Sequence, residues 1–322
     1  MNSLLRWPVT ILRAVTFLLL ANAAAAADST AGIVAPRDPA PPKISRPVDR
    51  EAAIRMFAAW KAPVPPRRLV GSIHYVGAIG VSSYLITTPD GHILIDTGFE
   101  DTVPTIQRGI EQLGFQLSDI KLMLSSHAHI DHTGGHAAMK RLTEAKVIAS
   151  AADAQVLESG GADDFIPFPK DLITYSPVKV DRIVADGERV TLGGVTLTAN
   201  LTPGHTRGAT TWTMDITENS EILRVVFFSS ASLNSGTRLL GKPAYPEIVS
   251  DLEATFARFK NMACDIFFAP HGGQFAMAEK FARLDRGEKK AFVDPEGWQT
   301  LIANAEKAFR EQLQAEQAQE SR

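Results

Sequence analysis

From residue 69 to residue 95 apolar positions come in short bursts rich in β-branched and aromatic side chains, a strand pattern. Residues 83–87 and 92–95 flank Pro89-Asp90-Gly91, so a hairpin is predicted there. The period then lengthens. Val103, Ile106, Ile110 and Leu113 recur at helical spacing, and Gly114 supplies a stop. A buried strand is predicted over 120–124, a helix over 137–142 and a strand over 146–149. Residues 159–177 carry Gly160, Gly161, Pro167, Pro169 and Pro177 and read as a loop. Strands are predicted over 189–192, 195–199, 210–216, 223–228 and 266–269, with a helix over 249–259. A last helix over 299–315 gives way to a polar tail. Strand and helix signals mix and no linker interrupts them, so residues 51–322 read as one α/β domain.

The first 50 residues follow other rules. Arg6 and Arg13 precede or flank an apolar run over 14–20, and a small-residue run over 23–27 follows. That is the order of a secretory signal peptide occupying residues 1–27. The apolar run is too short for a bilayer span, which takes about 20 residues. The expectation is export to the periplasm, with no membrane attachment after cleavage. Pro36, Pro39, Pro41, Pro42 and Pro47 make residues 28–50 a flexible leader. A short helix is predicted over 50–60, with Ile54, Phe57 and Ala58 on its apolar face.

Composition narrows the function. Hydrophobic residues at 45% and charged residues at 21% allow a sizeable core. A formal net charge of -3 offers no basic surface to nucleic acid. The single cysteine, Cys264, excludes an intramolecular disulfide and a cysteine-rich zinc site, and reads as a free core thiol.

Chemistry concentrates in Ser126-His127-Ala128-His129-Ile130-Asp131-His132, where a buried strand meets a helix start. His127 and His129, two apart in a loop, can reach one metal ion. Asp131 and His132 can face a second position nearby. His205, in Thr202-Pro203-Gly204-His205-Thr206, and His271, in Pro270-His271-Gly272-Gly273, each end strand-like segments at glycine or proline turns. These six residues supply two sets of three ligands, the count of a dinuclear zinc site. Asp96, closing the strand that begins at Ile93, can accept a bond from an imidazole or from the metal loop. His74 and His92 read as structural, and His136 alone of the remaining histidines could line the edge of the site.

In this order HxHxDH, the upstream Ile93-Leu94-Ile95-Asp96-Thr97-Gly98, the later Pro203-Gly204-His205 and the final Pro270-His271 resemble the metallo-β-lactamase fold superfamily over residues 60–293. The resemblance implies an αββα sandwich: two mixed sheets face each other, with helices outside and metals at one edge. Tyr75-Val76-Gly77, Ser82-Ser83-Tyr84-Leu85-Ile86, residues 124–129, Gly160-Gly161-Ala162-Asp163-Asp164, Ile173-Thr174-Tyr175 and residues 180–188 are similar to the subclass-B3 metallo-β-lactamases. That likeness implies one zinc held by His127, His129 and His205, and a second by Asp131, His132 and His271. It also implies a shared hydroxide as nucleophile, oriented by Asp131. Residues 227–234 hold neither the cysteine ligand of the other subclasses nor the bridging aspartate usual in glyoxalase II, many lactonases and nucleases. Ser232 and Asn234 are the pair implied for a substrate carboxylate, and Phe165 and Phe168 for a flap beside the pocket.

The resulting expectation is a monomeric periplasmic enzyme that uses two zinc ions to hydrolyse penicillins, cephalosporins and carbapenems, conferring antibiotic resistance. Two alternatives stand beside it: a lactonase or thioesterase of the same superfamily, and a non-catalytic zinc-binding member. The complete six-ligand set argues against the second. A serine mechanism is excluded by motif. Ser-x-x-Lys occurs at Ser118 with Lys121 and at Ser176 with Lys179, but neither Ser-Asp-Asn nor Lys-Thr-Gly occurs anywhere.

Overall fold

A computed structural model describes residues 48–321. The signal peptide read over 1–27 and all but the last three residues of the leader lie outside the described residues. Twelve strands form among them: β1 (Arg67–Val70), β2 (Ile73–Tyr75), β3 (Tyr84–Thr88), β4 (Gly91–Ile95), β5 (Ile120–Leu124), β6 (Lys146–Ser150), β7 (Arg182–Val184), β8 (Arg189–Leu192), β9 (Val195–Leu201), β10 (Thr210–Glu218), β11 (Glu221–Phe227) and β12 (Ile266–Phe268). The helices are α1 (Arg50–Trp60), α2 (Val103–Gln112), α3 (Ile130–Thr133), α4 (His136–Thr143), α5 (Ala151–Glu158), α6 (Lys170–Ile173), α7 (Ile248–Asn261), α8 (Met277–Asp285) and α9 (Pro295–Glu320).

Strands β1 to β7 make one sheet in sequence order, and β12-β11-β10-β9-β8 make the other. The first sheet is antiparallel as far as β4 and parallel from β4 to β7. The hairpin expected at Pro89-Asp90-Gly91 pairs Thr88 with Gly91. Period-two alternation builds the layers. Ile86, Ile93, Ile95, Leu124 and Ile148 point between the sheets, where they meet Leu197, Ala199, Trp212, Met214, Val225 and Phe227. Their neighbours Leu85, Leu94, Met123 and Val147 point the other way and bury Val103, Ile106 and Ile110 of α2, Met139 of α4 and Leu157 of α5. Cover on both faces explains why Met123 and Leu124 of β5 are successive apolar residues and both buried. Phe256 and Phe259 of α7 and Trp298, Ile302 and Phe309 of α9 belong to the core that the second sheet shares. The architecture is the αββα sandwich.

Several details differ from the sequence reading. Of the apolar face expected on α1, Phe57 packs inward but Ile54, 42% exposed, and Ala58 do not, and Ala53 is the buried residue. Phe57 and Trp60 turn toward Phe99 and one another. Helices α5, α6 and α8 were not anticipated. The polar tail is helical as far as Glu320, because buried Glu316 accepts bonds from the N–H groups of Leu239 (3.0 Å) and Leu240 (2.9 Å). Cys264 is a free, half-buried thiol packed against the core, and burial pushes it up to about 12.

Candidate metal centre

The site forms where strands of both sheets end at one edge. β4 ends at Asp96, β5 runs into residues 125–132, β9 into 202–205, β11 into 228–234 and β12 into 269–271. Such carboxyl-terminal crevices are where rigid strands present loop side chains to a ligand. Bonds between the sheets fix the loops against one another. Trp212 Nε1 donates to Ser125 O at 2.9 Å, Thr210 N to Ser126 O at 2.8 Å, and Ser82 N to Pro270 O at 2.8 Å. Gly204 takes a φ of +138°, and a Cβ there would stand 2.4 Å from Leu252 Cδ2, so only glycine lets the His205 loop pass α7.

All six sequence-predicted donors converge. His127, His129 and His205 form one triad, and Asp131, His132 and His271 the other; within each, one donor atom per residue lies within 4.8 Å of the others. His127 links the triads, with ring centroids 4.6 Å from His205 and 4.3 Å from His132. His127 Nε2, His129 Nε2 and both His132 nitrogens are buried without a hydrogen-bond partner. Buried imidazole nitrogens left bare inside a protein are costly, and bare nitrogens aimed at one point are what a metal ion satisfies. Asp131 Oδ2 stands 3.0 Å from His132 Nε2 and 3.7 Å from His271 Nε2, contacts of neighbouring donors rather than aligned hydrogen bonds. Imidazole and carboxylate donors, with no thiolate, suit zinc.

On His127, His205 and His271 the Nδ1 atom is engaged, so Nε2 is the nitrogen turned toward the triads. His205 Nδ1 donates to Ser232 O (2.7 Å) and His271 Nδ1 to Gly80 O (2.8 Å). His127 Nδ1 sits 3.2 Å from Ser126 Oγ, whose own proton goes to Asp96 Oδ2 at 2.6 Å. Asp96 also accepts from Ser126 N at 2.8 Å and lies 3.8 Å from His132 Nδ1. It adopts φ +58°, a left-handed conformation that turns its carboxylate beneath the loop.

Electrostatics keep the imidazoles of the first triad available. Burial holds His127 well below the ordinary histidine value, His129 near 4 and His205 near 3, so these rings are neutral at pH 7. Burial alone would raise Asp131, but His132 and His271 hold it below the usual carboxylate range. Burial pushes Asp96 up to about 6, against the pull of His132.

His127, His129, Asp131, His205 and His271 form the floor of a cavity of about 500 Å³. One wall is apolar: Ala52, Met56, Phe57 and Trp60 of α1 face Ile166, Phe168 and Ile173. Ser232 and Asn234 line the rim. Of the two flap residues read from the sequence, Phe168 reaches the cavity. Phe165 packs instead on Tyr245, ring centroids 5.1 Å apart. His136 does not line the edge: it is buried behind the loop, with Nδ1 2.7 Å from Thr97 Oγ1 and Nε2 3.1 Å from Ser125 Oγ. His74 and His92 are structural, each packing edge-on against Phe115. Three residues near the triads went unassigned in the sequence. Asp164 places Oδ2 3.5 Å from His129 Nε2, Tyr175 Oη donates to Ala128 O at 2.8 Å, and Trp60 lies 4.7 Å from the His271 ring. Gly160-Gly161-Ala162-Asp163-Asp164 was the available signal for the first.

Residues 76–271, more than half of the chain, match the family model of the metallo-beta-lactamase superfamily, and the chain belongs to that superfamily as one of its hydrolases. Solved structures place the likeness more narrowly. Native FEZ-1 metallo-beta-lactamase from Legionella gormanii is 39% identical with a TM-score of 0.76, over 80% of this chain and 98% of that one. BJP-1, a subclass B3 metallo-beta-lactamase of Bradyrhizobium japonicum, is 39% identical with a TM-score of 0.75, over 80% and 97%. Curated relatives match over less. Hydroxyacylglutathione hydrolase of Rhodospirillum rubrum is 33% identical over 98 residues, 30% of this chain and 29% of the relative. N-acyl homoserine lactonase AttM of Rhizobium johnstonii is 35% identical over 78 residues, 17% of this chain and 30% of the relative. The chain thus spans about a third of these two relatives.

Proposed function

We propose that this protein is a zinc-dependent β-lactamase that opens the lactam amide of penicillins, cephalosporins and carbapenems. The observation that carries this reading over its rivals is the stretch after β11, where Ser229, Ser230, Ala231 and Ser232 stand in place of the metal-bridging aspartate usual in glyoxalase II and many lactonases. Likeness to subclass B3 enzymes over nearly their whole length supports it. His127, His129 and His205 would hold one zinc, and Asp131, His132 and His271 a second. Bound zinc supplies a water acidified for attack and a Lewis acid for the amide. Asp131, on the cavity floor, orients that water. Ser232 and Asn234 hold the substrate carboxylate at the rim, and the apolar wall of α1 and Phe168 receives the substrate's side chain. The substrate is a small molecule, and the enzyme acts as a monomer in the periplasm; among the described residues no helix is long and apolar enough to cross a membrane.

A second reading, hydrolysis of lactones or thioesters, draws on the partial matches to a homoserine lactonase and a glutathione thioesterase. Comparing turnover of a carbapenem, an acyl-homoserine lactone and S-lactoylglutathione by the zinc-loaded protein decides between them. Faster hydrolysis of the carbapenem is expected; preference for the lactone or thioester overturns the proposal.

A further inference from the structure

One buried carboxylate in the centre has no role so far. Asp153, in the first turn of α5, is 2% exposed, and the charge that bears on it is the like charge of Asp164 rather than a cation. Burying a carboxylate without a counter-ion is costly unless backbone donors take its place. Here they do, and they come from the two loops that carry the first triad. Asp153 Oδ1 accepts from Gly208 N at 3.1 Å, three residues beyond His205. Burial pushes the carboxyl up to about 7, against the pull of the Thr206 hydroxyl, next to His205, and of the backbone N–H groups of Gly208 and of Ala128, which lies between His127 and His129. The carbonyl of Ala128, in the next peptide group, is also held, since Tyr175 Oη donates to it at 2.8 Å. Gly208 is held at both ends as well: its carbonyl accepts from Ser150 Oγ at 2.7 Å. A Cβ on Gly208 would stand 2.3 Å from Ser150 Oγ and 2.5 Å from Asp153 Oδ1, so the approach admits no side chain.

The second triad is tied down elsewhere. Thr97 N donates to His132 O at 2.8 Å, Asp96 lies beside His132, and His271 bonds Gly80. We propose that Asp153 is a positioning residue for the first triad alone: it joins the His127–His129 loop to the His205 loop and sets the angle at which their imidazoles converge. This rests on reading the triads as two metal sites. The carboxylate makes no contact with substrate or reacting atoms. It acts through the peptide groups of Gly208 and Ala128 and the Thr206 hydroxyl beside His205.

The test isolates each site in the mature chain. His271→Ala leaves the first triad intact, and His205→Ala leaves the second. Asp153→Asn, which keeps the shape and one acceptor oxygen, and Asp153→Ala are then added to each background, and Zn²⁺ affinity is measured by chelator competition. Outer partners of metal-binding side chains are worth about 10- to 100-fold in affinity. Asp153→Ala is expected to weaken Zn²⁺ binding by that factor beside His271→Ala and by less than about twofold beside His205→Ala, with Asp153→Asn intermediate. Equal weakening in both backgrounds, or none in either, overturns the proposal. So does an Asp153→Asn chain that cannot fold even with saturating zinc, since the carboxylate would then serve the fold. A wild-type chain that binds no zinc overturns the metal reading itself, and is recognised before any variant is compared.

Discussion

Replacing Asp96 by Asn removes one charge and turns one acceptor oxygen into an NH2 donor. Asn tolerates the left-handed φ of +58° and matches the carboxylate in shape. The bond from Ser126 N at 2.8 Å stays on the amide oxygen but weakens, the bond from Ser126 Oγ at 2.6 Å must reverse with the amide as donor, and the attraction toward His132 at 3.8 Å is lost. Hydrogen bonds to a charged group are worth about 1.5–3 kcal/mol and neutral ones about 1 kcal/mol, so neutralising both costs roughly 2 kcal/mol. If the carboxylate serves mainly to hold the loop in its zinc-binding form, that loss falls on zinc affinity, as a factor of about 30. Chelator competition on wild type and Asp96→Asn measures it, with the melting temperature of the metal-free proteins as control. Asp96→Ala should lose more, because it also strands the buried Ser126 N–H, at about 1–3 kcal/mol. Unchanged zinc affinity together with a full loss of metal-free stability would refute the reasoning and leave Asp96 a purely structural residue.

Two further outcomes follow from the same geometry. Gly204→Ala must fit a Cβ 2.4 Å from Leu252 Cδ2 at φ +138°, so calorimetry should show about 1–3 kcal/mol of destabilisation and zinc titration a weakened His205 site; an unchanged melting temperature contradicts the packing argument. Arg258 hydrogen bonds, with a contribution from Leu201 N at 2.9 Å, hold the Asp186 carboxyl below its ordinary value. A lowered folded-state value stabilises fully above the unfolded value of about 3.9 and is lost as pH falls through the folded one. Both side chains are more than a third exposed, so the contribution is under about 1 kcal/mol. Arg258→Ala should flatten the acid limb of stability below about pH 4, and denaturant titration at several pH values that finds the same slope rejects the assignment.

Local pattern carried the strands and failed for particular helices. β5 and β8 were legible to the residue because their strand-like stretches end at Ser125 and Gly193. α5 was missed because Ala151, Ala152 and Ala154 give a weak apolar stripe, its buried face being Asp153, Ala154 and Leu157. The end of α9 depends on Glu316 meeting Leu239 and Leu240, partners more than seventy residues away that no local window contains. The same distinction runs through the site. His127, His129, Asp131 and His132 were legible because ligand chemistry restricts them to His and Asp at tight spacing, and His205 and His271 because each follows a glycine or proline turn at a strand end. The residues that aim them, Asp153, Asp164, Tyr175 and Trp60, depend on loops brought together from distant sequence. Phe165 and Phe168 show the limit: three apart in one loop, they split between core and cavity according to backbone direction.

Hydrolysis of a penicillin, a cephalosporin and a carbapenem by one purified preparation, before chelation, after EDTA and after zinc is restored, tests the central claim most directly. The account predicts turnover of all three, its loss on chelation, its return with zinc, little effect of clavulanate and no covalent adduct on the chain by mass spectrometry during turnover. Hydrolysis that survives thorough chelation, a stable acyl adduct on a serine, or zinc-loaded protein that leaves all three lactams intact would contradict it.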